Sequence, residues 1–344
     1  MSDLRPSTSE LDGAAQLLAS ARARAYAAVS EIRLADELRL TEWQRSTVRA
    51  VGARLVRAVE DELRSALAGA FDSEALSGAL ASASVEIAFP ILEEHGALAS
   101  PALIEVLLRR VEEHRLHRAG AAENSLLIEL AGDSDAKIAA EAMTLLIAQS
   151  SRFDPFEEPL LARPDLPAEL EHELVWTVAA ALRRYIVDRH WAEPAAADAA
   201  LSEAALRLLG AYDEGEGLEA RCVRLARALD SAGRLDGALM VRGLADASLP
   251  LFIAFLAVRT SIDAASIWEI HASRSESGMP LLLRAAGIDR SDSAAILLGL
   301  GSDEAALIPQ LDFFDSVSAE EAARLLTLWR VDPGYRAALA RLMQ

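Results

Sequence analysis

Leu166 to Arg189, LPAELEHELVWTVAAALRRYIVDR, decides how the chain is read. Leu170, Leu174, Val178, Leu182 and Ile186 recur at a four-residue spacing, with Val175, Ala181 and Tyr185 beside them. That spacing gathers apolar side chains onto one face of an α-helix. Pro164 and Pro167 stand at its start, where a missing amide hydrogen costs little. Glu169, Glu171 and Glu173 fall in the early turns and Arg183, Arg184 and Arg189 in the late ones. Both ends therefore suit the helix dipole. A helix of this length needs neighbours to cover its stripe.

The rest of the chain supplies them. Of 344 residues 52% are apolar but only 5% aromatic, with Ala and Leu dominant, a composition that favours closely packed helices over sheets. Alternating β-branched runs are missing. The length suits two domains or one elongated array better than a single core. Basic residues number 34 against 53 acidic ones, for a net charge of −19. A field of that sign repels phosphate, which argues against nucleic acid or anionic membrane as the main partner. Cys222 is the single cysteine, so neither an intramolecular disulfide nor a cysteine-based zinc site is available, and a buried apolar role is expected for it. The first residues lack a basic segment followed by an apolar core. The longest apolar run, Leu249 to Val258, is half of the ~20 residues that a membrane span needs. A soluble, cytoplasmic protein is expected.

Taken in order, residues 1–12 are polar, and helices are predicted over about 14–38 and about 42–67. Thr41 is the expected cap of the second, and Val48, Val51, Leu55, Val59 and Leu63 its stripe. Nine arginines against seven acids between Arg22 and Arg64 make this segment mildly positive; alternating charges of this kind read as ion pairing along solvated faces. VEDELRSALAGAF (59–71), SVEIAFPILEEHG (84–96) and SDAKIAAEAMTLLI (134–147) each open polar and continue as a small-residue helix. Each is followed by a second helix: DSEALSGALASA, SPALIEVLLRRVEEHRLH and the Leu166–Arg189 helix. Recurring helix pairs predict an all-α, HEAT-like α-solenoid, with a short extra helix near Glu123–Leu130 stretching the period and Pro90 kinking the second repeat. Three regions are expected: 1–80, an N-terminal helical region; 81–192, the helix-pair repeats; and 193–344, an irregular helical C-terminal part. In the last, Gly and Ser punctuate shorter helices, with Ser291 and Ser302 as expected caps and Gly287 and Gly299 as stops.

EHRLHRAGAAENSLL (113–127), IAAEAMTLLIAQSSRF (138–153) and RPDLPAELEHELVWTVAAALRRYI (163–186) resemble a bacterial domain-of-unknown-function family, family 2336. The resemblance runs from about Leu40 to Ile288 and includes GRLDGALMVRGL (233–244). It implies an all-helical, repeat-like fold and brings no catalytic motif with it.

Chemistry is sparse. His114 and His117 lie on adjacent turns with Glu113 beside them, but no third metal ligand is identifiable and His114 continues the Leu103, Leu107, Val111 stripe. No metal and no cofactor are therefore assigned. Asp213-Glu-Gly-Glu-Gly217 lacks calcium-loop spacing, Gly299-Leu-Gly301 lacks a third glycine, and no phosphate-binding loop, nucleophile elbow or H-E-x-x-H occurs. Trp and Arg are enriched at interface hot spots, which singles out Arg109, Arg110, His114 and Arg118 on one helix. Trp176, Arg183, Arg184 and Trp191, on or just after another, stand out for the same reason. These faces predict a non-enzymatic scaffold or adaptor that binds another protein or peptide, an acidic one by charge. The alternative is a sensor holding a small molecule between the repeats and the C-terminal helices. A homo-oligomer is compatible with either.

Overall fold

The computed structural model describes residues 39–67, 69–82, 85–119, 125–154, 156, 158–190, 192–246, 248–273 and 275–342. The helix predicted over 14–38, the polar start and Trp191 lie outside them. The chain divides into two compact units, 1–45 and 46–344. In the first, Thr41 Oγ1 accepts the Gln44 N–H at 3.2 Å and Gln44 Oε1 accepts the Thr41 N–H at 2.9 Å, a reciprocal cap.

Among the described residues the regular structure is helical, with one isolated bridge between Phe153 and Pro159. The chain is all-α. The helices are α1 (Glu42–Ala66), α2 (Glu74–Ala81), α3 (Ala88–Glu94), α4 (Pro101–Ala119), α5 (Ser125–Ala131) and α6 (Ala136–Ser150). There follow α7 (Ala168–His190), α8 (Pro194–Gly210), α9 (Leu218–Ser231), α10 (Gly237–Ala245), α11 (Leu249–Thr260) and α12 (Ala264–Ala272). The last are α13 (Gly278–Ala285), α14 (Arg290–Gly299), α15 (Glu304–Ser316), α16 (Ala319–Leu325) and α17 (Pro333–Leu342).

The stripe of α7 is buried as its spacing predicts: Leu170, Leu174, Val178, Leu182 and Ile186 all face inward, against α8 and α3. Tyr185 is only half-buried. The expected pairing of α6 with α7 is not the main one. α6 packs chiefly on α5 and α9, and α9 in turn on α11. The reason is apolar area. α11, LPLFIAFLAVRT, is buried on every side, with Phe252 and Phe255 fully enclosed, so it draws amphipathic helices around it. Each such side chain contributes about 1.5–3 kcal/mol. The resulting core joins Leu126, Leu127, Ile138 and Leu145 to Leu225, Leu256 and Leu297. It therefore runs across the border expected near 192, and that border and the one near 80 both fall inside the second unit. Among the described residues no single helix is long and apolar enough to cross a membrane; α11 and α12 together are, but they bend by 114°.

Local details differ from expectation for identifiable reasons. Pro90 does not kink a helix, because α3 begins only at Ala88 and the proline sits in the first turn. Asp289 and Asp303, rather than Ser291 and Ser302, cap α14 and α15; Ser302 Oγ instead donates to Gln310 Oε1 at 2.9 Å. α15 runs through Pro309 to Ser316 because Leu311 and Phe314 extend its buried face. The arginines of α1 do pair: Arg49 with Glu93, Arg54 with Glu158, and Arg57 with Asp61 and Glu86. Arg64 pairs as well, but with Glu60 in the interior rather than along a solvated face.

Candidate functional site

The residues singled out on α4 serve mostly as internal structure. Arg110 is buried: its Nε donates to Leu160 O at 2.7 Å, its Nη2 to Arg152 O at 2.7 Å, and its guanidinium lies 4.9 Å from the Phe153 ring. Burial, together with the Arg152 charge, lowers it to about 10. Arg152, also buried, bonds Glu113 and, at 2.7 Å, Asp165. Asp165 Oδ1 accepts the Leu218 N–H at 2.8 Å and so caps α9 from outside the helix. This ionic cluster ties α4 to the segment before α7 and to α9. Arg109 pairs with Glu105 at 2.6 Å and lies 6.0 Å from the Trp268 ring. Arg118 is exposed.

His114 is buried, and its ring lies 6.0 Å from that of Phe153, on which His117 stacks at 4.5 Å. Burial first, then the charges of Arg110 and Arg118, push His114 down to about 4. In the unfolded chain it protonates near 6.5. A neutral His114 therefore adds stability that is present above about pH 6.5 and lost as pH falls through about 4. His114→Leu is expected to flatten the fall in urea midpoint over that window. An unchanged slope would assign the pH dependence to other groups.

On α7, Trp176 Nε1 donates to His172 Nε2 at 3.2 Å, and Arg183 Nη2 reaches Asp198 at 3.2 Å. Arg184 Nη1 donates to His95 Nε2 at 2.6 Å, whose Nδ1–H in turn donates to Ile91 O at 2.8 Å. A carbonyl only accepts, which fixes that tautomer. The α7 arginines thus pin α8 and α3 to α7. The structure does not bring the eight residues singled out in the sequence into one surface: Arg110 and His114 are interior, Arg109 is nearly so, and Trp191 is outside the described residues. Cys222 is fully buried, and burial pushes its thiol well above the ordinary range, so it stays protonated.

An outward-facing apolar group lies on α6. Asp135 caps this helix, accepting the N–H groups of Lys137 at 2.9 Å and Ile138 at 3.3 Å. Ile138, Ala142 and Leu145 face the core. A second row, Ala136, Ala140, Met143 and Ile147, faces out, with Met143 47% and Ile147 64% exposed. Ile128 of the neighbouring α5 is 58% exposed. Ion pairs surround these two helices: Asp133–Arg234 at 2.6 Å, Glu141–Arg224 at 3.3 Å and Glu129–Arg242. Phe156, 84% exposed, stands on a turn in which Asp154 Oδ1 accepts its N–H at 2.8 Å. The signal was in the sequence. AKIAAEAMTLLIAQS has apolar residues at more helical positions than one buried stripe uses.

A cleft of about 420 Å³ lies between α1 and α8, lined by Asp61, Glu62, Ser65, Ala204, Arg207 and Leu208 and open to solvent. Arg163 connects Glu62 of this cleft to the buried Glu171.

A family described as an uncharacterised protein conserved in bacteria (DUF2336) matches residues 87–327. The chain belongs to that family. No curated protein and no solved structure matches it. The DUF2336 span starts later and ends later than the resemblance from Leu40 to Ile288 suggests. It contains α6, its outward face and the helices of the core around α11.

Proposed function

We propose that the protein is a non-enzymatic interaction protein, a scaffold or adaptor acting in the bacterial cytoplasm through the outward face of α6. The observation that carries this reading is the second apolar row of α6, Met143 and Ile147 above all. Burying such side chains rewards a partner by about 25 cal/mol per Å². Exposed apolar rows with a polar rim mark protein contacts. A small-molecule sensor asks for an enclosed apolar cavity. The cleft between α1 and α8 is open instead, which favours the scaffold.

The test is a photo-crosslinking amino acid introduced at position 147 in bacterial cells, with position 203 on α8 as the control. Protein adducts are expected at 147 and not at 203. Ile147→Glu should weaken the contact by at least about tenfold while changing folding stability by less than about 0.5 kcal/mol, as for other exposed positions. Equal adducts at both positions, or none at 147, would remove α6 as the interface.

A further inference from the structure

The order of side chains along the outward row of α6 is asymmetric. Small residues, Ala136 and Ala140, occupy its N-terminal half, and large ones, Met143 and Ile147, its C-terminal half. Laid antiparallel across an axis passing between Ala140 and Met143, two such helices set Ile147 against Ala136 and Met143 against Ala140, twice over. Every large side chain then meets a small one, the isologous fit of a two-fold dimer. A parallel pair would oppose Ile147 to Ile147 and leave the alanines facing a gap.

Charge points the same way. At −19 the chain repels its own copy over most of its surface. Around α5 and α6, Asp133, Glu141 and Glu129 are each neutralised by an arginine of the same chain, namely Arg234, Arg224 and Arg242. At the row's N-terminal end exposed Lys137 and exposed Asp135 offset one another. A copy approaching here meets a locally balanced rim rather than bare acid. We propose that the occupant of the α6 face is a second copy of this chain, docked antiparallel about a two-fold axis between Ala140 and Met143. This rests on reading that face as an interface.

Two measurements on the full chain test it. In analytical ultracentrifugation, a monomer–dimer equilibrium with a Kd on the order of 10 μM is expected, since one helix pair falls short of the ~800 Å² per partner of a standard interface. The dimer should tighten between about 50 and about 500 mM NaCl, because salt screens the residual repulsion between two acidic chains. Ile147→Glu should weaken it by at least about tenfold with an unchanged circular dichroism spectrum. In the second measurement, chains carrying Ala140→Cys are mixed with chains carrying Met143→Cys and oxidised. The mixed disulfide should form in preference to either self-disulfide, and buried Cys222 takes no part.

A chain that stays monomeric at about 200 μM in both salts overturns the proposal, because self-association at that level would be weaker than the interface predicts. A dimer indifferent to Ile147→Glu, or one favouring the self-disulfides, also overturns it. Crosslinking at 147 that captures only a different protein overturns the second copy while leaving α6 as an interface. A lack of any adduct there removes both.

Discussion

Replacing Arg64 with methionine is expected to lower folding stability by about 3–5 kcal/mol, the range for breaking one side of a buried ion pair. Arg64 and Glu60 lie one turn apart on α1, both buried, with 2.9 Å between Nη1 and Oε1. Arg64 Nε donates to Leu80 O at 2.7 Å, Nη2 to Ala79 O at 3.1 Å and to Ser82 O, and Nη1 to Val85 O at 2.9 Å. These are carbonyls at the end of α2 and just beyond it, where helical partners run out. Glu60 does the converse for α3, accepting the N–H groups of Ile87 at 3.2 Å and Ala88 at 2.9 Å. One ion pair therefore closes the negative end of one helix and the positive end of the next, each with matching charge. Arg64→Met strands the Glu60 carboxylate and those carbonyls together. The double variant Glu60→Gln, Arg64→Met should recover part of the loss, because no buried charge remains. Urea unfolding checks both; a deficit under about 1 kcal/mol for Arg64→Met would mean that water replaces the arginine.

Arg64 also shows where the sequence stops being legible. Periodicity along α1 marks Val51, Leu55 and Val59 as core, and they are. It cannot mark a buried arginine, because apart from Glu60 one turn back the partners of Arg64 are carbonyls 15 to 21 residues away, reached only once the chain has folded back. Arg110 is similar: Glu113 is visible one turn on, but Leu160 and Arg152 are reached only once the chain has turned back after α6. Which helix covers which stripe is a further question. α6 and α7 carry equally good apolar faces, and nothing local says that α6 belongs to α9 and α11 rather than to α7. That choice follows from α11, whose burial on all sides sets the centre of the core. The outward face of α6, by contrast, was open to counting.

The second large effect is expected at Arg152. Its guanidinium stands between Glu113 and Asp165, its carbonyl accepts from Arg110, and Asp165 passes the connection on to the first turn of α9. Gly217, at the N-cap of α9, has no side chain to offer that turn, so Asp165 supplies the capping oxygen from a distance. The backbones are close there: a Cβ at Gly217 would come within 2.3 Å of Pro164 O, leaving little room for water to stand in. In Arg152→Met, Glu113 keeps Arg110 at 3.3 Å, whereas Asp165 loses its only ion-pair partner among the described residues. A deficit of about 3–5 kcal/mol at about pH 7 is expected, from a carboxylate left buried without its counter-charge. Asp165→Asn in the Arg152→Met background removes the charge while keeping an oxygen for the Leu218 N–H, and should recover part of the deficit. Urea midpoints of the single and double variants decide it, for a double variant no more stable than Arg152→Met would place the loss in packing rather than in the stranded charge.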